Sequence, residues 1–391
     1  MKPTVYLHVG SPKTGTTTLQ NFLPDNKEIL EKHGMTYPDF GFRYEGIGVR
    51  RNGHFLITTR HRDEQGRRIL AKEKEDYETG LQKLKELSAR FPRIILSDEG
   101  LWKQSLVDRK NFWETLKNDL DGMGMDMKII VYFRRQDDFM QSHYAQKIKE
   151  GASYSFQEYL DKPFCAEYPL DYYAYLNMFK KIVGEENLIV RVFEKGQFLG
   201  EEHTIQSDFL QIFGLKMSDG FQMKQDVYNT SYQGNYLAIK KILNTLPQFR
   251  PSGNFLASEI RKVQAENPLP LKKTSFFAPG EQAKYMQQFE KTNALVAREY
   301  LHREDGKLFY RENVELPEFQ TDAKELLQDV MLVYGKCIDT LYEQTRENKK
   351  KIDELDKKLK ASEKKIRELE QTSFWFRLKR KTKHVLGKDR M

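Results

Sequence analysis

Cysteine is nearly absent from this chain: Cys165 and Cys337 are the only two in 391 residues. Two thiols build no disulfide framework, so the fold must rest on an apolar core, and a reducing cytoplasm is the expected compartment. Long apolar runs are absent too. No stretch approaches the roughly 20 residues needed to span a bilayer. Met1-Lys2-Pro3-Thr4 leads straight into Val5-Tyr6-Leu7-His8-Val9, without the ~7–15 apolar residues and small-residue cleavage site of a signal peptide. No His/Cys/Asp cluster has metal-ligand spacing, so no metal is expected.

Charge of one sign is also scarce over most of the chain. The net charge is +8, from 65 Lys and Arg against 57 Asp and Glu. Residues 371–391 hold seven basic residues and one acid, and residues 346–370 hold ten and seven. Residues 1–345 carry 48 basic and 49 acidic residues and are neutral. A nucleic-acid-binding body would carry its positive field on the folded domain, so nucleic acid is not an expected partner. A heparin-like polyanion is disfavoured as a substrate for the same reason. What is present is 39% hydrophobic and 12% aromatic residues, enough for a sizeable core.

The pattern predicts an α/β fold, a parallel sheet flanked by helices, followed by a C-terminal helical, coiled-coil extension. Apolar strands are expected at Val5–Val9, Arg93–Ser97, Lys128–Phe133 and Leu188–Val192. Helices are expected over Thr16–Leu23, restarting at Pro24-Asp25 and stopped by Gly34, and over Leu81–Phe91 and Gln136–Lys149. Strands alternating with helices imply a sheet covered on both faces. From Ile338 a heptad runs, with Ile338, Thr345, Ile352, Leu359 and Ile366 at a and Leu341, Asn348, Leu355, Ser362 and Leu369 at d. The organisation expected is a catalytic domain over 1–335, a coiled-coil helix over 336–370 that would make a homo-oligomer, and a basic aromatic tail over 371–391.

The most informative stretch is His8-Val9-Gly10-Ser11-Pro12-Lys13-Thr14-Gly15-Thr16-Thr17-Thr18-Leu19. A strand entering a glycine turn and then a helix aims free backbone N–H groups and the positive helix end at an anion. Lys13 supplies charge, and Thr16, Thr17 and Thr18 supply hydroxyls. A Walker A loop reads G-x-x-x-x-G-K-[ST]. Gly10 and Gly15 have that spacing, but Thr16 stands where the lysine belongs and Lys13 lies inside the loop. That disfavours an ordinary NTPase and weakens any need for Mg²⁺.

The order Pro12-Lys13-Thr14-Gly15-Thr16-Thr17 resembles the P-K-[ST]-G-T-T loop of the sulfotransferase superfamily, whose sulfuryl donor is 3′-phosphoadenosine-5′-phosphosulfate (PAPS). The resemblance implies that Lys13 contacts the bridging oxygen. It assigns Thr14, Gly15, Thr16, Thr17 and Thr18 to the 5′-phosphate. The family's second motif, R-x-P-x-D-x-x-x-S, is similar to Arg134-Arg135-Gln136-Asp137-Asp138-Phe139-Met140-Gln141-Ser142, with Gln136 in place of proline. It implies a 3′-phosphate held by Arg134 and Ser142. Gly34-Met35-Thr36-Tyr37-Pro38, Ser97-Asp98-Glu99, Val190-Arg191-Val192-Phe193-Glu194 and Asn229-Thr230-Ser231 look like further segments of bacterial members, with Phe193 near the adenine. The likeness spans roughly residues 1–245.

Two side chains are candidates for the base that takes the acceptor's proton. Glu99 follows a predicted strand, where open parallel sheets gather their active sites. His54 is poised near neutral pH by its ordinary pKa. His8 and His143 are read as structural. The acceptor expected is a carbohydrate hydroxyl of an envelope or lipid-linked glycan. The tail, with Phe374, Trp375 and Phe376 beside Arg377, Lys379, Arg380, Lys381 and Lys383, suits an anionic membrane surface at the inner face. The alternatives left open are a P-loop kinase or NTPase and a catalytically inactive, sulfotransferase-like scaffold.

Overall fold

The computed structural model describes residues 2–44, 46–57, 61–104, 109–162, 169–223, 232–251, 254–267, 274–311 and 316–386, without the side chains of 103, 104, 109, 110 and 378–386. Cys165 and the Asn229-Thr230-Ser231 segment lie outside the described residues. The chain divides into two compact units, Met1–Ser252 with Leu269–Thr321, and Gly253–Pro268 with Asp322–Met391.

The first unit is built on five parallel strands: β1 (Thr4–His8), β2 (Met35–Thr36), β3 (Arg93–Ser97), β4 (Asp126–Phe133) and β5 (Leu188–Val192). Their order in the sheet is β2-β3-β1-β4-β5. Between β1 and β4 run the helices α1 (Thr16–Asp25), α2 (Lys27–Lys32), α3 (Leu70–Ser88), α4 (Gly100–Gln104) and α5 (Arg109–Gly122). Beyond β4 come α6 (Gln136–Lys149), α7 (Phe156–Leu160), α8 (Tyr172–Val183), α9 (Ile205–Gln211) and α10 (Gly234–Leu243). The helices α12 (Glu281–Gln287) and α13 (Glu290–Glu299) complete this unit, while α11 (Phe255–Glu266) and α14 (Ala323–Leu386) form the second.

The four longer strands stand close to where their apolar runs put them: the central strands are buried, and the edge strand β5 buries Val190 and Val192 on one face. Val5 and Leu7, Ile94 to Leu96 and Ile129 to Phe133 are all fully enclosed. One face packs Leu19, Phe22 and Leu23 of α1 and Phe209 and Leu210 of α9 against Ile95, Ile130 and Tyr132. The other packs α8, whose buried Tyr172, Tyr175, Leu176 and Phe179 recur at helical spacing. Tyr172 stacks on Phe133 at 4.1 Å between ring centres, and Trp102 meets Tyr175 at 4.5 Å.

Three local details differ from the sequence reading. Pro24 sits inside α1, one residue from its end, and the break falls at Asn26, whose amide donates to Phe22 O and Gln222 O at 2.9 Å each. A proline this late removes few helical bonds, and Asn26 closes the turn instead. The helix expected from Leu81 begins at Leu70; its first turns are charged and carry little apolar periodicity. Buried Glu73 in that stretch is paired with Arg68, at 2.5 Å to Nη2. Gly80 in the same helix lies so close to Phe55 that an added β-carbon would stand 2.2 Å from the ring. The strand β2, two residues on the sheet edge, is too short for an alternation pattern.

The domain boundary also reads differently in three dimensions. The long helix starts at Ala323 rather than near 336, and the segment 253–268 belongs with it. Within that second unit Val333 and Cys337 are buried, and Thr340 and Lys336 bond Glu259 and Glu266 at 3.0 Å each.

Candidate functional site

The chain lays β1, β2 and β3 on one side and then crosses β1 to lay down β4 and β5. Such a reversal opens a crevice at the carboxyl ends of the strands beside it. The carboxyl end of β1 lies there, and the loop from Val9 to Gly15 follows it directly. Val9 N–H still donates to Ile130 O at 3.0 Å, and the chain then turns.

That loop is tightly specified. An added β-carbon on Gly10 would lie 2.6 Å from Thr16 Cγ2 and 3.0 Å from His8 Nε2, so only glycine allows the helix to come back over the strand end. Thr14 is fully buried and its hydroxyl donates to Ser11 O at 2.6 Å, which ties the turn internally. Gly15 is left-handed at φ +72° and is the N-cap of α1. It offers no side chain to the first-turn N–H groups, which is the arrangement that receives an anion. Lys13 is also left-handed, at φ +71°. A lysine held there is uncommon and strained by about 1 kcal/mol or more, so something must hold it.

What holds it comes from the second motif, 121 residues on. Arg134, at the end of β4, donates from Nη1 to Lys13 O at 2.8 Å. Its guanidinium lies 5.9 Å from the Phe193 ring centre, and Phe193 closes over Gly15, where an added β-carbon would come within 3.0 Å of the ring. The fold thus brings Lys13, Gly15, Arg134 and Phe193 together. Lys13 Nζ lies 3.5 Å from Gln146 Oε1. Burial, and then the neighbouring Arg134 cation, lower the ammonium's pKa, while Glu99 and Glu150 offset part of that. Such a lysine is short of counter-charge and is set to gain from an entering anion.

Thr17 and Thr18 are exposed on the first turn of α1. Ser142 is half-buried on α6 and has no hydrogen bond to any described residue. Gln136, where the family motif has proline, is fully buried and exchanges two amide bonds with Asn293, at 2.8 and 3.1 Å. The first turn of α6 is therefore pinned by a side-chain lock rather than by a proline ring. Asp138 is met by Arg311 Nη1 at 2.6 Å. The segment carrying Arg311 is fastened by Glu194, which accepts the backbone N–H groups of Tyr310 and Arg311 at 2.9 and 2.6 Å.

Glu99 lies two residues past β3 and is half-exposed. It accepts from Thr16 Oγ1 at 3.0 Å, so it stands at the start of α1, beside the loop. Arg51 approaches its other oxygen at 3.5 Å and is itself gripped by Asp98, at 2.6 Å from Nη2 and 3.0 Å from Nε. Asp98 is fully buried; Arg51 and His54 hold its carboxyl below the usual range against the opposing effect of burial. His54 sits at the far end of this chain of contacts. It is buried, its Nδ1 is 3.0 Å from Asp98 Oδ2, and its Nε2 has no partner among the described residues. Of the two base candidates, Glu99 reaches the loop and His54 is an anchor behind it. Arg51 and Arg311 belong to no motif; the sole hint of Arg51 in the sequence is its place three residues before His54.

His8 and His143, both read as structural, are buried with partners. His143 bonds Tyr159 Oη at 2.7 Å. His8 is fully buried beneath the loop with Nδ1 2.9 Å from Ser97 Oγ, and burial lowers its pKa to about 4. The unfolded chain titrates His8 near 6.5, so the unfolded state takes the proton first. The stability that neutral His8 contributes is present above pH 6.5 and is lost as pH falls towards 4, by about 3 kcal/mol at most. Urea unfolding at pH 7 and 4.5 should show this loss, and His8→Gln should lessen it. An unchanged pH dependence in that variant would refute the assignment.

Among the described residues no group of His, Cys, Asp and Glu is arranged to hold a metal ion, and no helix is long and apolar enough to cross a membrane. No family model matches the chain, and no solved structure matches it. An uncharacterised protein of Archaeoglobus fulgidus is 27% identical over 228 residues. The alignment covers 57% of this chain and 58% of that protein, less than two thirds of its length.

Proposed function

We propose that the chain is a P-loop-like sulfotransferase that moves the sulfuryl group of PAPS to a carbohydrate hydroxyl. The observation that carries this reading is the hydrogen bond from Arg134 to the Lys13 carbonyl. It joins the two short motifs that resemble the superfamily's 5′- and 3′-phosphate sites, and nothing in their sequence separation requires them to meet.

The residues suit the ligand in kind. The uncapped start of α1, with the hydroxyls of Thr16, Thr17 and Thr18, would receive the 5′-phosphate, and the Thr14 and Gly15 backbone would shape the loop around it. Arg134 and the unpartnered Ser142 hydroxyl would receive the 3′-phosphate, with Phe193 alongside the base. In the reaction the acceptor oxygen bonds to sulfur as the bond from sulfur to the bridging oxygen breaks. The 5′-phosphate leaves with that electron pair, and the Lys13 ammonium offsets the charge that develops there. Glu99 takes the proton lost by the acceptor hydroxyl. Thr16 carries one hydroxyl proton, so it must leave Glu99 when it turns to the phosphate, which frees the carboxylate for this step.

The acceptor we favour is a neutral or weakly charged envelope or lipid-linked glycan, in keeping with the charge-balanced body. The tail, with Phe374 and Trp375 exposed ahead of its basic run, would bring the enzyme to an anionic membrane surface at the cytoplasmic face. Calorimetric titration with 3′-phosphoadenosine-5′-phosphate, against ATP with Mg²⁺, tests the reading. Tight metal-independent binding of the first is expected. Preference for Mg²⁺-ATP would instead identify an NTPase or kinase.

A further inference from the structure

α14 is one unbroken helix of 64 residues, about 96 Å long at 1.5 Å per residue. The heptad that begins at Ile338 in the sequence reaches further in the structure. Because α14 starts at Ala323, the same register takes in Leu327, Met331 and Tyr334 upstream, at d, a and d. These three are 62%, 65% and 48% exposed. Along the main seam the a positions Ile338, Ile352 and Ile366 and the d positions Leu341, Leu355 and Leu369 are all at least half exposed. The residues that α14 buries, Asp329, Val333 and Cys337, lie at f, c and g, off the a and d positions, although g borders the seam. A mainly apolar seam, interrupted by Thr345, Asn348 and Ser362, is therefore left open over about six heptads, a 3.5-residue period that fits another helix of the same period.

We infer that this seam is covered by the α14 of a second copy of the chain, in a parallel, in-register, two-stranded coiled coil. Three features of the sequence on this helix select that occupant. Isoleucine at a with leucine at d favours two strands over three or four. The flanking charges select the direction. In a parallel pair each g residue faces the e residue five positions on in its partner. Here Lys351 would face Asp356, Lys358 would face Glu363, and Lys365 would face Glu370, all opposite in sign. An antiparallel pair would set g against g and e against e, placing lysines together and acids together. Finally, the polar core residues Thr345, Asn348 and Ser362 meet their own copies only when the strands are in register, the role attested for a buried Asn at an a position. In the single helix Asp356 pairs with Lys360 at 2.6 Å. Both are exposed, and such a pair is weak enough to be exchanged. The inference does not depend on the sulfuryl-transfer reading. The parallel sense places both copies of Phe374 and Trp375 at the same end of the rod.

Sedimentation equilibrium of the full chain should give the mass of two chains. The variant Lys351→Glu/Lys358→Glu/Lys365→Glu should sediment as one chain, as should Asp356→Lys/Glu363→Lys/Glu370→Lys. Mixing the two should restore the two-chain species, because each then offers the other opposite charges; recovery on mixing also shows that neither variant had simply failed to fold. Leu369→Cys should oxidise to a covalent dimer beyond whatever the unaltered protein gives under the same conditions. A monomeric or trimeric wild type, triple variants that remain dimeric, no recovery on mixing, or no cross-link through position 369 would each overturn the proposal.

Discussion

Lys13→Ala will lose about a thousandfold in turnover, about 4 kcal/mol of transition-state stabilisation, while nucleotide affinity changes little. The expectation follows from where the charge appears. On the proposed chemistry the bound nucleotide already has the helix start, the hydroxyls and Arg134 in the ground state. The bridging oxygen becomes strongly negative only as its bond to sulfur breaks, and Lys13 would be the cation that meets it. Its backbone is left-handed and its carbonyl accepts from Arg134, which fixes where the side chain leaves the loop. Single-turnover rates, with affinity measured separately by calorimetry, separate the two effects. A Lys13→Ala enzyme of normal rate, or one whose loss lies entirely in nucleotide affinity, would contradict the proposed chemistry.

The wild-type protein should bind 3′-phosphoadenosine-5′-phosphate far more tightly than 5′-AMP, and Arg134→Ala should remove most of that preference. A charge-assisted bond is worth roughly 1.5–3 kcal/mol, so the loss should be about ten- to a hundredfold. The structure adds a second effect. Arg134 also holds the Lys13 carbonyl, so its removal lets the left-handed residue relax and should lower turnover as well. Arg134→Lys should recover some affinity through charge but little of the rate, since a single ammonium lacks the planar fork that can serve two acceptors. Equal affinity of the intact protein for both nucleotides would remove the 3′-phosphate assignment.

The parts of the fold that the sequence discloses are those decided by local chemistry. Arg93–Ser97 is a strand because a short apolar run buried on both faces has few alternatives, and Leu188–Val192 because its β-branched residues suit a pleated edge that buries Val190 and Val192. Gly10, Gly15 and the threonines announce a turn into a helix because that turn needs a left-handed residue and close backbone approach. The heptads of α14 are likewise periodic in their own residues. Lys13, Arg134 and Ser142 could be named as candidates for the same reason, since each sits in a short motif whose spacing can be inspected along the chain.

Only tertiary structure could decide which distant side chains meet. Arg51 stands 48 positions from Glu99, and Arg311 stands 173 from Asp138, yet each reaches its carboxylate. No spacing rule relates them, because their proximity follows from the strand order β2-β3-β1-β4-β5 rather than from any local period. The same holds for His54: the sequence offers it as a candidate base, while the fold buries it on Asp98 and leaves Glu99 at the loop. α3 begins eleven residues early for a related reason, because Glu73 is helical through its buried pair with Arg68 and not through an apolar pattern. Local propensity and periodicity are properties of neighbouring residues and are written in their order. Burial, charge pairing and the convergence of strand ends are properties of the packed sheet, and they exist only once the chain has closed on itself.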